Sequence, residues 1–164
     1  MRMADVPSVE VSLTVAAPPE RVWVLASDVT RVGDWGAECV GAEWVDGVEG
    51  PAVGARFVGH QVREGREWQT ISVVIESELG VSFAWAVGDP ASASATWRYQ
   101  LASDGGGGTV VRYRLVMGPG SSGLTAVIAE MPDCEESIIA HRLTEHQRNM
   151  TATLEAIKRA AERG

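Results

Sequence analysis

The stretch from Asp133 to Arg163 carries the pattern that most constrains the fold. Its apolar side chains recur at steps of three and four residues, which places them on one stripe of a single long α-helix. The stripe comprises Ile139, Leu143, His146, Met150, Leu154, Ile157 and Ala161. Such a stripe needs an apolar partner, and the only upstream region of matching length is a series of strand-like segments. We therefore predict a helix that lies across a curved antiparallel sheet, with a cavity between them.

Seven segments before this helix have the composition and alternation of β-strands. They are predicted at Val9–Val15, Cys39–Val45, Ala55–Val62, Trp68–Glu76, Val81–Val87, Ala95–Leu101 and Val110–Met117. Short turns rich in Gly, Asp and Pro connect the last six, which is typical of an antiparallel meander. Short helices are predicted at Arg21–Ser27, at Val29–Trp35 and around Leu124–Met131. Asp133 is expected to cap the long helix, with Glu136 reaching back to it.

Length and charge narrow the function classes. At 164 residues the chain is about one domain, predicted to span residues 1–164. A formal charge of -8 with no cluster of Lys or Arg disfavours contact with phosphate backbones, so no nucleic-acid partner is predicted. The sequence shows neither a signal-peptide pattern nor a run of about 18 apolar residues, so we expect a cytoplasmic protein that does not insert into a membrane.

No metal or other cofactor is predicted from the candidate ligands. Cys39 and Cys134 are far apart and have no metal-ligand pattern around them, so reduced thiols are expected. His141 and His146 are five residues apart and do not share a helix face, which excludes a zinc site of the i, i+4 kind. The acidic residues Asp28, Asp34 and Glu38 are interpreted as a solvated face.

Side-chain parity predicts which strand residues face the helix. In three strands the large residues share one parity, namely Phe83 and Trp85, then Trp97, Tyr99 and Leu101, then Val111, Tyr113, Leu115 and Met117. The residues of opposite parity, expected to face water, are Thr96, Arg98, Gln100, Arg112 and Arg114. In Ala55–Val62, the set Phe57, Gly59 and Gln61 competes with Val58, His60 and Val62, and we favour the first set as inward.

Several local sequences, together with the order of elements, resemble one known superfamily. They are Val9–Val15 with Ala17–Trp23, then Asp34-Trp35, Gly54–Phe57, Phe83–Trp85 and Arg142–Met150. These segments are similar to those of the SRPBCC or Bet v 1-like (START-like) superfamily, specifically its polyketide cyclase/dehydrase branch. The resemblance implies an α+β helix-grip fold: a seven-stranded curved antiparallel sheet, two short helices after the first strand, and a long C-terminal helix across the concave face.

The resemblance also implies a pocket for a hydrophobic or amphipathic small molecule, polyketide- or lipid-like. Members of the superfamily hold lipids, sterols, plant hormones or polyketide intermediates, and some cyclise or dehydrate what they hold. The predicted cavity residues are Trp35, Phe57, Gln61, Phe83, Trp85, Trp97, Tyr99, Tyr113, Met117, Leu143, His146 and Met150. Gln61 would place an amide in the pocket, and Trp35 would form a lid or mouth.

Two roles are open for the most suggestive of these residues. His146 interrupts an apolar stripe, either as an acid, base or ligand donor or as a structural histidine bonded to a carbonyl or to Arg142. The aromatic residues either cage a planar ligand or fill the core. If the protein is a cyclase or dehydratase, His146 and Tyr113 are the catalytic candidates. The alternatives are a non-catalytic interaction or regulatory protein and a lipid carrier, and the oligomeric state, including a homodimer, is open.

Overall fold

Alternating apolar and polar residues fold into one antiparallel sheet in the computed structural model, which describes residues 1–164. Its strands are β1 (Ser8–Val15), β2 (Cys39–Trp44), β3 (Arg56–Arg63), β4 (Arg66–Glu78), β5 (Ser82–Val87), β6 (Ala95–Ser103) and β7 (Thr109–Met117). The order across the sheet is β1-β7-β6-β5-β4-β3-β2. Strands β2 to β7 therefore form a meander, and β1 returns to pair with β7. This confirms the predicted seven-stranded sheet.

Four helices accompany the sheet. They are α1 (Pro19–Ser27), α2 (Val32–Trp35), α3 (Gly123–Glu130) and α4 (Glu135–Glu162). Proline at the start of α1 suits the first helical position, where no backbone N–H is needed. The α1 residue Trp23 donates from its indole Nε1 to the carbonyl of Ser82 on β5 at 2.7 Å, which fixes this helix against the sheet. The long C-terminal helix of the helix-grip prediction is confirmed.

The predicted start of α4 was wrong. A 3-10 turn from Pro132 to Cys134 precedes the helix, and the Asp133 side chain makes no capping bond. The N-terminal segment of the chain contacts this end of the helix. The Glu135 carboxylate accepts hydrogen bonds from the backbone N–H of Met3 at 2.9 Å and from Arg2 Nη1 at 3.2 Å. Glu135 is thereby engaged with a segment more than a hundred residues away in sequence.

The hydrophobic core lies under the C-terminal half of α4. Met150, Leu154, Ile157 and Ala161 are each at most 2% exposed and belong to the main buried cluster. They pack together with residues of β1, α1, β5 and β7, among them Val15, Val22, Phe83 and Val111. Burial of these side chains is the main source of stability for such a fold.

Candidate functional site

A cavity of about 840 Å³ lies between the sheet and the part of α4 that precedes this core. Its volume is within the usual range for small-molecule pockets. Eleven of the twelve predicted cavity residues line it: Trp35, Phe57, Gln61, Phe83, Trp85, Trp97, Tyr99, Tyr113, Met117, His146 and Met150. The exception is Leu143, which packs against the hydrophobic core instead. The α4 residues that line the void are Arg142, His146, Asn149, Met150 and Thr153, so the helix face over the cavity is rotated away from Leu143.

Aromatic rings form the floor of the cavity because the strand register places them side by side. Trp85 pairs with Trp97 across β5 and β6, and their rings stack at 6.2 Å between centroids. Tyr99 pairs with Tyr113 across β6 and β7, and these rings stack at 4.1 Å. The two indoles are only half-buried, since their faces border the void, whereas both tyrosines are buried. Of the four rings, the two indoles thus border the void with part of their surface, and the two tyrosines belong mainly to the core.

The β3 parity favoured from the sequence is confirmed. Phe57, Gly59 and Gln61 line the cavity, whereas none of Val58, His60 and Val62 does. The Gln61 amide donates from Nε2 to the hydroxyl of Thr70 on β4 at 3.3 Å. This strand pair therefore gives the cavity a polar wall beside its aromatic floor.

Trp35, at the end of α2, lines the cavity. Its side chain is 7% exposed, and its backbone carbonyl accepts a hydrogen bond from Thr153 Oγ1 of α4 at 3.1 Å. The Arg31 guanidinium lies over the indole at 4.7 Å from the ring centroid, within cation–π range. Trp35 is therefore fixed between α2 and α4.

His146 forms the roof over Trp97. The two rings meet edge to face at 5.5 Å between centroids. A structural histidine would be expected to bond to Arg142 or to a carbonyl, and His146 forms no such hydrogen bond. Both of its ring nitrogens remain accessible. Burial, reinforced by the positive charge of Arg142, lowers the His146 pKa to about 4. The imidazole is consequently neutral at pH 7 and can donate and accept one hydrogen bond each.

Three other titratable groups in the wall are held in their neutral forms. Burial raises the pKa of the Tyr99 and Tyr113 phenols, with the charge of the neighbouring phenol contributing at Tyr113. Burial also raises the pKa of the Cys39 thiol, which lies 3.5 Å from the carbonyl oxygen of Gly41. All three groups therefore stay protonated near neutral pH.

A network of charged side chains closes the polar end of the cavity. The Arg142 guanidinium donates to both Glu38 oxygens, at 2.6 and 2.7 Å, and Asn149 Nδ2 donates to Glu38 Oε2 at 3.0 Å. Arg63 of β3 donates to both oxygens of Glu145, at 2.6 and 3.3 Å. A longer contact of 3.4 Å between Arg142 Nη1 and Glu145 joins the two pairs. The network ties α4 to β3 and to the segment before β2.

The interpretation of Glu38 as part of a solvated face was wrong. Its side chain is 17% exposed, because it is covered by α4 and paired with Arg142. Sequence reasoning also missed Arg63, Asn149 and Glu145 as parts of the site. The only local signal was the i, i+3 spacing of Arg142 and Glu145 on a helix. The partner Glu38 lies 104 residues from Arg142 along the chain, a separation that no local pattern reveals.

Comparison with known proteins identifies a matching family model and related solved structures. A family model described as "Polyketide cyclase / dehydrase and lipid transport" matches residues 6–162. A polyketide-cyclase-like protein of Corynebacterium glutamicum, solved by NMR, is 33% identical, with 94% of this chain and 91% of that chain covered and a TM-score of 0.67. A search of curated proteins found no match.

Two more distant structures show likeness of fold alone. An aromatase/cyclase from a Streptomyces species is 19% identical, with 96% of this chain and 94% of that chain covered and a TM-score of 0.71. A major latex-like protein of Panax ginseng is 10% identical, with 95% and 97% covered and a TM-score of 0.65. Both align along almost their whole length, so the helix-grip architecture is common to all three.

No helix of the structure has both the length and the apolar composition needed to cross a bilayer. No group of three or more His, Cys, Asp or Glu side chains is placed to hold a metal ion.

Proposed function

Because the chain belongs to the polyketide cyclase/dehydrase and lipid transport family, we propose that it binds a flat hydrophobic or amphipathic small molecule, polyketide- or lipid-like, in the cavity between the sheet and α4. The observation that carries this proposal is the aromatic floor. Trp85 and Trp97 stack at 6.2 Å between ring centroids, remain only half-buried, and both line the void. An apolar surface of this kind gains free energy when a planar ligand displaces water from it.

The polar groups around this floor would orient the ligand. Gln61 and Thr70 offer donors and acceptors on one wall, and His146 and Asn149 offer them on the roof. A few convergent polar groups in a largely apolar pocket are typical of sites that fix the orientation of a small molecule.

The proposal is tested by titrating the protein with 2-naphthamide, a flat uncharged probe, and following tryptophan emission and heat. We expect the emission to fall on binding, because the naphthyl ring contacts Trp85 and Trp97. Trp97→Ala or Tyr99→Ala should weaken binding at least about tenfold, since each removes part of the stacking surface. Trp44→Ala is the matched control: this indole packs on the core outside the cavity wall, so its loss should leave the affinity nearly unchanged. No response in the wild type would favour the non-catalytic interaction role.

A second candidate function, cyclisation with loss of water, is favoured by two neutral groups, His146 and Tyr113, that both contact the Trp97 ring. Trp97 contacts the His146 ring at 5.5 Å and the Tyr113 ring at 5.6 Å between centroids. The neutral imidazole would accept a proton from carbon next to one carbonyl, that carbon would bond to the second carbonyl carbon, and the imidazolium would return its proton to the resulting alkoxide. Loss of water would follow: the imidazole would take a second proton from the same carbon while the phenol donates one to the departing hydroxyl, and the imidazolium would then reprotonate the phenolate.

This second candidate is tested with 2,6-heptanedione, whose intramolecular aldol reaction and dehydration give 3-methyl-2-cyclohexenone and one water. The enone is followed by its ultraviolet absorbance. We expect His146→Ala to abolish turnover while the binding of 2-naphthamide persists. Turnover unchanged in His146→Ala would contradict the catalytic role and leave the binding role intact.

A further inference from the structure

The charged side chains that line the cavity balance one another. They are three arginines and three carboxylates: Arg63, Arg66, Arg142, Asp28, Glu38 and Glu67. Glu145 contacts Arg63 and Arg142 without lining the void and adds one further negative charge. The cavity therefore offers no surplus positive charge to an anion, and the formal charge of -8 on the whole protein opposes the approach of one.

Two of the three arginines in the wall are already paired with carboxylates. Arg142, whose side chain is 14% exposed, is held by both oxygens of Glu38, and Arg63 is held by both oxygens of Glu145. Paired geometry of this kind uses the donors that a ligand carboxylate would need. A second carboxylate at Arg142 would also lie close to Glu38, and the burial of an unpaired like charge is costly.

The third arginine of the wall does not change this balance. Arg66 is exposed at the tip of the β3–β4 hairpin and is followed directly by the exposed Glu67. Water and salt screen charges in such a position, so its attraction for a buried anion is small. The remaining titratable groups, His146, Tyr99, Tyr113 and Cys39, line the void in neutral form.

We infer that the cavity selects an uncharged ligand and that Glu38 is a specificity-determining residue, because it cancels the charge of Arg142 at the polar end. This inference rests on the proposed binding function. The ligand class it names is an uncharged, largely apolar compound with hydroxyl or carbonyl groups, which Gln61, Thr70 and Asn149 can engage. A free fatty acid or an aromatic carboxylate does not belong to this class.

The inference is tested by calorimetry with 2-naphthamide and 2-naphthoate, which share ring and shape and differ in charge. We expect the wild type to bind the amide at least about tenfold more tightly, because the carboxylate loses its hydration without gaining a free cation. Glu38→Gln keeps the size and an acceptor oxygen for Arg142 but removes the charge. It should raise the affinity for 2-naphthoate about tenfold and change that for 2-naphthamide much less.

Two further variants make the result unambiguous. Glu145→Gln releases Arg63 at the other end of the network and should also raise the affinity for 2-naphthoate. This variant keeps the test available if Glu38→Gln does not fold. Glu10→Gln changes the net charge equally but lies exposed on the outer face of β1, so it should leave the preference unchanged. Equal or tighter binding of 2-naphthoate by the wild type, or an unchanged preference in both network variants, would overturn the inference. Failure of both compounds to bind the wild type would contradict the proposed function itself.

Discussion

The two halves of α4 are held against the sheet by different forces, although they belong to one continuous helix. From Met150 to Ala161 the inward residues are almost fully buried and pack into the core. From Arg142 to Asn149 the inward residues border a void, and the helix is anchored there by ion pairs to Glu38 and Arg63. Dense apolar packing needs no specific partner, whereas a helix over a cavity must be held by directional contacts at its sides.

This difference shows how one helix can serve both stability and binding. The packed half, from Met150 to Ala161, contributes the apolar burial that folding requires. The roof half, from Arg142 to Asn149, gives up part of that burial and leaves a space that a ligand can occupy, and His146 and Asn149 border that space. The comparison predicts that the largest losses of stability come from truncation in the packed half, and that stability in the roof half depends on pH and on the ion pairs.

The largest effect is expected from Leu154→Ala in the packed half. Leu154 is 1% exposed, so the change removes apolar contacts and leaves a hole in the core. We expect the free energy of unfolding to fall by about 3.5 kcal/mol, measured by urea denaturation. Leu143→Ala serves as the comparison in the roof half, where this half-buried side chain should cost only about 1 kcal/mol. Similar losses at the two positions would remove the distinction between the halves.

The next largest effect is a loss of stability in acid that originates from His146. Its pKa is lowered from 6.5 to about 4, so the folded protein binds fewer protons than the unfolded chain between these values. Stability is therefore complete above the unfolded pKa and falls as the pH decreases from about 6.5 towards about 4. Between about pH 7.5 and about pH 4.5 the expected contribution is roughly 2.5 kcal/mol, measured by urea denaturation at both values. The His146→Leu variant should lack this component, and an equal acid loss in the variant would assign it to other groups.

A smaller effect is expected from breaking the ionic anchor of the roof half. Arg142→Leu leaves Glu38 and Glu145 largely buried and without one of their cations, and we expect a loss of about 2 kcal/mol in the free energy of unfolding. Adding Glu38→Leu removes the stranded carboxylate and should restore about half of the loss, as a double-mutant cycle in urea would measure. Strictly additive losses would show that the pair does not interact.

The architecture was predictable because it is encoded in local periodicity. Alternation in Val9–Val15 and in Val110–Met117 marked strands, and the three- and four-residue steps from Ile139 to Ala161 marked the long helix. Strand parity also placed Trp85, Trp97, Tyr99 and Tyr113 on one face, since side chains alternate strictly along a strand. The ligand-binding role of these residues stays a prediction.

The polar end of the site was not predictable, because its contacts are not encoded in any local periodicity. Glu38 and Arg142 are brought together only when α4 crosses the sheet, and each by itself resembles an ordinary solvated charge. The helical stripe also misplaced Leu143, because a period of 3.6 residues defines a face only to within about a residue and cannot show where the void lies. Asp133 failed as a cap because it lies inside the 3-10 turn Pro132–Cys134, so that Cys134 rather than Asp133 directly precedes α4.

The sequence by itself determined the order of strands and helices, the inward faces of the strands and the likeness to a ligand-binding family, since each depends on the spacing of neighbouring residues. Only the tertiary structure decided that the helix covers a cavity along one half and a packed core along the other. It also decided that two of the three arginines in the cavity wall are paired with carboxylates, because these contacts join residues far apart in sequence. Whether a side chain in such a fold is solvated, paired or facing a void depends on what the rest of the chain places next to it.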